Sequence, residues 1–209
     1  MGALIDPILN WSLHIENLRL ELRLNLGLFY LASPCLPLKA LILLYSSLIN
    51  SKLVYCLEVF GNALKTYLNK LYIIQKKLMR VVFHKGALYH SAPFFKLAKV
   101  LPIHQLYLLR IGILTWRTYS QSDPVPTYET LFSKLSLPVP AATSSCGQCR
   151  VQYQMARIWN NFPTHLREIR CFAEYRVAFK QYLLEQIQQN LTIPSLPASL
   201  TMTSPTLLN

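Results

Sequence analysis

Residues 64–84 read LKTYLNKLYIIQKKLMRVVFH and carry the clearest helical pattern in the chain. At about 100° per residue, apolar and basic side chains fall on opposite sides, which is typical of an amphipathic helix. The apolar side consists of Leu64, Tyr67, Leu68, Leu71, Leu78 and Val82. The basic side consists of Lys65, Lys70, Lys76, Lys77 and Arg80, with Ile73 as the main exception. We therefore predict a helix with one packed side and one solvated, basic side.

The segment before this helix is predicted to be central. Residues 38–60 are apolar nearly all round, which is typical of a buried helix, and Gly61-Asn62 is a suitable end for it. Its most apolar part, Ala40–Ser51, is too short for a membrane span, which takes about 20 residues. We predict no membrane association, and we expect the apolar side of helix 64–84 to pack against this central helix.

Residues 13–31 give two conflicting signals. Leucine occupies every second position from Leu18 to Leu28, which is a strand pattern. However, Leu, Arg and Glu are good helix formers, and no β-branched residue lies in this interval. We predict a helix. Residues 1–12 are expected to form a short strand or an extended lead-in with a turn at Asp6-Pro7.

The second half of the chain is predicted to contain shorter helices. Residues 121–145 contain four prolines, which indicates a linker around one short helix near 129–135. The tail, residues 190–209, is rich in Ser, Thr and Pro and has no charge, so we expect it to be disordered. The helices expected around these segments are 91–100 and 104–120, separated by Pro102, and 151–160 and 171–189.

The charge distribution favours a polyanionic partner. The chain has 21 Lys and Arg against 9 Asp and Glu, and no acidic residue lies between Glu58 and Asp123. A merely solubilising face usually mixes both signs, so their separation favours phosphate contacts. The candidate nucleic-acid-binding residues are Lys65, Lys70, Lys76, Lys77, Arg80 and Lys85. The interleaved aromatic residues, which could stack on bases, are Tyr67, Tyr72, Phe83, Tyr89, Tyr107 and Trp116.

No catalytic centre is recognisable in the sequence. The two aspartates and seven glutamates are scattered, whereas two-metal phosphoryl transfer needs clustered carboxylates. The chain has no Gly-rich phosphate loop, and none of its histidines has a nucleophile at a suitable spacing. We expect that the chain as it stands is not an enzyme, and that it uses no cofactor and no small-molecule substrate.

The cysteines leave two interpretations open. Five cysteines without a signal peptide indicate reduced thiols and an intracellular location, in the nucleus or the cytoplasm, rather than secretion. Cys146 and Cys149 form a C-x2-C pair and, with His165 and Cys171, supply a set of ligands that zinc accepts. One such pair is a weak signal. We favour unligated loop thiols and keep a zinc site at these four residues as the alternative.

Six short motifs follow one another in an order that one protein family shares. The first is Leu4-Ile5-Asp6 with Trp11 and His14-Ile15, which resembles "LGV-x-ID-x-x-L-x-W-x-x-HI". The next two are residues 43–55, which resemble "LY-x-SLI-x-P-x-L-x-Y", and residues 71–82, which resemble "L-x-x-LQ-K-x-x-x-R-x-I". The last three are residues 91–97, which resemble "TAPLFKKL", residues 156–163, which resemble "GP-K-IWN-x-LP", and residues 179–184, which resemble "FK-x-x-L-x-x-LL". Together they resemble the reverse transcriptases of non-LTR (LINE-type) retrotransposons, in particular the jockey/CR1-like branch.

The resemblance implies the thumb and post-thumb region of such a polymerase. The expected fold is mainly α: a thumb-like helical bundle after a short strand remnant, then a second small helical segment and a disordered tail. The corresponding units are a palm-edge remnant and thumb-like bundle, 1–120, a Pro-rich linker, 121–145, a small C-terminal helical region, 146–189, and the tail, 190–209. Fingers, palm and the paired catalytic aspartates of the family precede the matched region.

The function implied is non-specific binding to the backbone of RNA or of an RNA–DNA duplex, by a piece of an RNA-directed DNA polymerase that is inactive alone. Two alternatives stand beside it. In one, the basic face of a helical interaction protein meets an acidic partner. In the other, the chain is a nucleic-acid-binding module stabilised by zinc at Cys146, Cys149, His165 and Cys171.

Overall fold

The structure is a computed structural model that describes residues 2–5, 10–120 and 136–189. It is mainly helical, as the sequence predicts, and the described residues contain no strand. The predicted turn at Asp6-Pro7, the short helix near 129–135 and the tail, 190–209, lie outside these residues. The strand expected near the start is not present in residues 2–5 and 10–12. A strand needs a neighbouring strand for its backbone N–H and C=O groups, and the described part of the chain offers none.

Eleven α-helices follow one another in the described residues. Those of the first half are α1 (Ser12–Ala32), α2 (Leu38–Tyr45), α3 (Ser51–Val54), α4 (Leu57–Phe60), α5 (Lys65–Val82) and α6 (Ala92–Leu97). Those of the second half are α7 (Ile103–Ser120), α8 (Ser145–Gln148), α9 (Val151–Asn160), α10 (Thr164–Arg167) and α11 (Phe172–Gln189). The predicted helices 104–120, 151–160 and 171–189 are thereby confirmed almost to the residue.

The alternating leucines of α1 form two apolar rows on a helix. Every second position is also every fourth, and residues four apart lie on the same side of an α-helix. Leu18 and Leu22 are buried in the core, whereas Leu20 and Leu24 are exposed. The alternation therefore does not require a strand, and the helix favoured by residue propensities is confirmed.

The central segment is not the single helix predicted for residues 38–60. A π-helical turn, Ser46–Asn50, connects α2 to α3, and Cys56 then adopts a left-handed conformation with φ 55° before α4 begins. The segment is still central, since Leu41, Tyr45, Ile49 and Leu53 are fully buried. Hydrophobicity alone predicts burial but does not predict where the backbone leaves the α-helical conformation.

Helix α5 packs mainly along α1, which corrects the prediction that it packs against the central helix. The 21 residues of α1 provide a long, uninterrupted apolar side that includes Ile15 and Phe29. The central segment offers only short helices, because the π turn and the break at Cys56 divide it. Two long helices bury more surface by pairing with each other.

A buried glutamine connects α5 to two other elements. Gln75 is completely buried, and its Nε2 donates a hydrogen bond of 2.9 Å to the hydroxyl of Tyr45 on α2. Its Oε1 accepts a hydrogen bond of 2.8 Å from the backbone N–H of Ile103, the first residue of α7. Burial raises the pKa of Tyr45, so its hydroxyl remains protonated. One side chain thus fixes the relative positions of α2, α5 and α7.

The C-terminal helices pack on α6 and α7 and share one core with the first half. Helix α9 lies along α7, and α11 contacts both α6 and α7. The indole N–H of Trp116 on α7 donates a hydrogen bond of 2.9 Å to the carbonyl of Ile169, just before α11. Asn160, at the end of α9, both donates to and accepts from the backbone of Leu137, which holds residues 136–139 against the bundle.

Gly112 is the position at which α7 and α11 approach most closely. A Cβ atom there would lie 2.3 Å from Cε1 of Phe179 and 2.9 Å from the hydroxyl of Tyr175. Both aromatic side chains are fully buried, so they have little room to move. A side chain at position 112 would therefore push the two helices apart.

We predict that Gly112→Ala destabilises the protein by about 1–3 kcal/mol, the usual cost of overpacking a core. The matched control is Gly27→Ala in α1, where a Cβ would meet nothing within 4 Å. Alanine favours a helix over glycine by about 1 kcal/mol, so Gly27→Ala should stabilise. Urea unfolding followed by circular dichroism measures both. Equal stability of the two variants would contradict the close packing of α7 on α11.

We predict that Gln75→Met destabilises the protein by about 1–3 kcal/mol, because it leaves the N–H of Ile103 buried without an acceptor. Methionine keeps the length of the side chain, so packing changes little. Tyr45→Phe removes only the hydroxyl and should cost less, about 1 kcal/mol. The same unfolding measurement applies. A cost of Tyr45→Phe larger than that of Gln75→Met would show that the glutamine is not the central group.

Candidate nucleic-acid interface

Helix α5 presents the predicted basic side to solvent. Its buried side is formed by Leu68, Leu71, Ile74, Gln75, Leu78, Met79, Val81 and Val82. Of the candidate residues, Lys65, Lys70, Lys77 and Lys85 are exposed, and Lys76 and Arg80 are half-buried. Ile73, the apolar exception on the basic side, is exposed. We refer to the six candidate residues as the α5 basic stripe.

The segment between Glu58 and Asp123 has no acidic residue in the sequence, but the fold brings an acidic residue next to it. Glu16 on α1 lies 3.5 Å from Nζ of Lys70, and it also forms an ion pair with Arg19. The hydrogen bond from Arg19, together with the charge of Lys70, lowers the pKa of the Glu16 carboxyl. The other five members of the α5 basic stripe form no ion pair with any described residue. The charge of Lys70 is therefore partly neutralised, so Lys70 is less available to an anionic ligand than the other members of the stripe.

Three of the six interleaved aromatic residues are not available to stack on bases. Phe83 stacks on Phe94 with ring centroids 5.0 Å apart, and Tyr107 is buried in the core. Trp116 stacks on Tyr175, with ring centroids 6.0 Å apart. The expectation of an aromatic platform from these residues is therefore wrong for these three. Aromatic residues interleaved with basic ones thus indicate core packing as readily as ligand stacking.

The tyrosines near the stripe make cation–π contacts with its lysines. The Nζ atoms of Lys70 and Lys76 lie 5.3 and 4.8 Å from the ring centroids of Tyr67 and Tyr72, respectively. Lys85 lies 5.7 Å from the centroid of Tyr89 in the same way. Such cation–π contacts hold the lysine stems along the helix surface and leave the charged ends in solvent.

A groove of about 570 Å³ adjoins the C-terminal end of α5. Lys77, Arg80 and Lys85 line one part of it, and Leu26 and Tyr30 of α1 line another. The Tyr30 ring is 60% exposed, so it offers an aromatic surface beside three cations. The sequence did not indicate Tyr30, because it lies about fifty residues from the lysines and is brought to them only by the pairing of α1 with α5.

Hydrogen bonds fix the wall of this groove. His84 has a left-handed conformation, with φ 52°, and its Nδ1 lies 3.0 Å from the hydroxyl oxygen of Ser33. The same hydroxyl donates a hydrogen bond of 3.2 Å to the carbonyl of Val81. Nε of Arg80 donates to the carbonyl of Tyr89 at 2.9 Å, so its guanidinium is oriented before any ligand arrives. A groove with fixed walls and cationic side chains can bind phosphate at a small entropic cost.

His104 lies at the other end of the stripe. Its Nε2 lies 3.2 Å from Oδ1 of Asn69, and its ring meets the ring of Tyr72 edge-on, with centroids 5.8 Å apart. Burial, together with the charge of Lys65, lowers the pKa of His104 to about 4. The imidazole is therefore neutral at physiological pH and adds no charge to the α5 basic stripe.

The candidate zinc ligands are not brought together as far as the structure describes them. Cys149, His165 and Cys171 are all exposed, and no three His, Cys, Asp or Glu side chains among the described residues could hold a metal ion. The side chain of Cys146 lies outside the described part. The His165 ring packs edge-on against Tyr182, with centroids 6.4 Å apart. The zinc hypothesis therefore receives no geometric support.

The chain has no match among protein-family models, curated proteins or solved structures. Within the described ranges, no helix combines the length and the apolar character that crossing a bilayer requires. The assignment of function therefore depends on the surface described above.

We predict that the protein loses stability as the pH falls from 6.5 towards 4, with His104 as a main contributor. In this interval the unfolded chain binds a proton at His104, whereas the folded chain does not, so acid favours unfolding. His104→Gln should reduce the loss between about pH 7 and about pH 5 by about 1 kcal/mol. Urea unfolding at both pH values measures this. An unchanged pH dependence in His104→Gln would show that another group titrates.

Proposed function

We propose that this chain binds the backbone of RNA or an RNA–DNA duplex through the α5 basic stripe, as the thumb and post-thumb region of a non-LTR retrotransposon reverse transcriptase. The observation that carries the proposal is the set of five cations without acidic partners in the described residues, on one helix side and its adjoining groove. Cations in this arrangement contact phosphates, which position a duplex without reading its sequence.

The groove supports nucleic acid over a generic anion. A nucleic-acid strand presents phosphates and bases together, and the groove places the exposed Tyr30 ring beside Lys77 and Arg80. A base that leaves the stack could lie on this ring while its phosphates meet the cations. We propose no specific base recognition, because contacts to phosphates position a strand but carry no sequence information.

The exposed side of α1 fits the same proposal. Leu20, Leu24, Leu28 and Leu31 are 45–78% exposed and lie on one side of the helix, opposite its core-facing side. A contiguous apolar surface of this kind marks a contact with another protein surface. In a reverse transcriptase of this family the thumb stands beside the palm, and the exposed side of α1 would pack there. We assign the chain no catalytic step.

An acidic protein partner is the second candidate. The stripe itself would fit an acidic peptide equally well, because both ligands neutralise exposed lysines. The groove beside Tyr30 favours nucleic acid. Competition separates the two: an excess of polyglutamate should displace an acidic-partner ligand but should compete poorly with a duplex that also uses the groove.

We predict that changing Lys65, Lys76, Lys77 and Lys85 together to Gln flattens the salt dependence of duplex binding. Each lost phosphate contact lowers the slope of log K against log salt by about 0.9, so the slope should fall by about 3 to 4. Fluorescence anisotropy with a labelled RNA–DNA duplex at several salt concentrations measures the slope. Arg80 is left unchanged, because it holds the carbonyl of Tyr89.

The control removes the same number of charges elsewhere. Arg23, Lys39, Arg150 and Arg170 are all exposed and lie outside the stripe and its groove. Their joint replacement by Gln should leave most of the salt slope in place. If both quadruple variants flatten the slope equally, binding depends on net charge alone and the assignment of the stripe fails.

A further inference from the structure

A second positively charged cleft lies on a different part of the molecule. Its volume is about 470 Å³, and it is enclosed by the π turn after α2, the segment 98–101, α7 and α11. A volume of this size suits a small-molecule ligand, since such pockets measure about 300–1,000 Å³. None of the α5 basic stripe residues lines it. The cleft exists only because α11 packs on α6 and α7.

Five cationic side chains converge on this cleft from three parts of the chain. They are Lys99 after α6, Arg110 and Arg117 on α7, and Arg176 and Lys180 on α11. Arg110 has an acidic partner: its Nε donates a hydrogen bond of 2.6 Å to Glu58. The other four form no ion pair with any residue that the structure describes. Ser46 and Asn50 of the π turn add neutral polar side chains to the lining.

The cations of the cleft without acidic partners repel one another. Arg176 and Lys180 are four residues apart on α11, a spacing at which like charges destabilise a helix. Burial, together with the charges of Arg176 and Lys99, lowers the pKa of Lys180. Helix surfaces normally avoid such an arrangement. A multiply charged anion in the cleft would neutralise these charges. Relief of their mutual repulsion would favour binding of the anion.

The surroundings of two of the cations are specific. Arg117 lies over the ring of Phe172, with its Cζ atom 4.7 Å from the ring centroid, a cation–π contact that favours one orientation of its exposed guanidinium. Lys99 has φ 53°, a left-handed conformation that favours glycine, and it ends α6. Val100 N donates to the carbonyl of Phe95 at 2.9 Å, which completes the helix C-terminal motif that requires this conformation. Lys99 thus has a strained backbone conformation, and its side chain adds a cation to the cleft.

We propose that this cleft is a phosphate-binding site for a compact anion with two or more adjacent phosphate groups. A phosphate monoester carries a charge of about −1.5 to −2, so two or three such groups match four uncompensated cations. Guanidinium groups bind phosphate oxygens through paired hydrogen bonds, and two arginines free of acids are present. The ligand is either a free nucleotide or polyphosphate, or the phosphorylated end of a nucleic-acid strand. This inference does not depend on the α5 basic stripe.

The test measures binding of inorganic tripolyphosphate to the full chain by calorimetry. Wild type should bind it, and the double variant Arg176→Gln/Lys180→Gln should bind it at least about tenfold more weakly, since two of four free cations are lost. The same variant should be more stable than wild type without ligand, because the like-charge pair is removed. Arg23→Gln/Lys39→Gln is the matched control, because both side chains are exposed and line neither the cleft nor the groove beside the stripe, and it should bind as wild type does.

A second variant distinguishes loss of the binding site from misfolding of the protein. Lys99→Gly relieves the left-handed strain and should raise Tm, yet it should also weaken tripolyphosphate binding because one cation is lost. The site is disproved if wild type does not bind tripolyphosphate, or if the cleft variant and the Arg23→Gln/Lys39→Gln control lose binding equally. An RNA with a 5′-triphosphate, compared with the same RNA ending in a 5′-hydroxyl, then identifies the source. A preference that disappears in Arg176→Gln/Lys180→Gln identifies a strand end, and no preference identifies a free ligand.

Discussion

The buried amide of Gln75 is the constraint on which the mutual arrangement of α2, α5 and α7 depends. It bonds to the Tyr45 hydroxyl and to the first N–H of α7, and all of these groups lie away from water. A buried polar group without a partner costs more free energy than a hydrogen bond contributes. Only one register of α5 against α2 and α7 therefore satisfies the glutamine amide, the tyrosine hydroxyl and the backbone N–H together. This register also sets the side of α5 that faces out. The basic stripe is thus positioned from within the core.

The three glutamates of α1 and α4 pair with cations, yet they neutralise only one member of each cationic surface, Lys70 of the stripe and Arg110 of the cleft. Glu16 pairs with Arg19 and Lys70, Glu21 with Lys52, and Glu58 with Arg110. Each pair joins a neighbouring turn or helix and neutralises a cation that lies near the first half of the bundle. The other five stripe residues form no ion pair with any described residue, and neither do Lys99, Arg117, Arg176 and Lys180 of the cleft. Their field therefore reaches solvent at the stripe and at the cleft.

Close backbone approach at Gly112 creates the second surface in the same way that Gln75 positions the first. Only without a Cβ can α7 lie against the rings of Tyr175 and Phe179, and this contact brings Arg176 and Lys180 opposite Arg117. Apolar packing and charge are therefore coupled in this fold. The core contacts bring together cations that would separate in an unfolded chain, and a bound anion would in turn stabilise the packed state.

The sequence by itself determined the helical class, the limits of α1, α5, α7, α9 and α11, and the outward direction of the α5 lysines. These properties follow from local periodicity, which each helix carries within its own residues. Only the tertiary structure decided that α5 pairs with α1, that Glu16 meets Lys70, and that Tyr30 joins the groove. It also decided that Lys99, Arg117 and Lys180 share a cleft. These contacts join residues dozens of positions apart. The pairing of helices depends on how much apolar area each possible pair can bury, and a local sequence pattern does not contain that information.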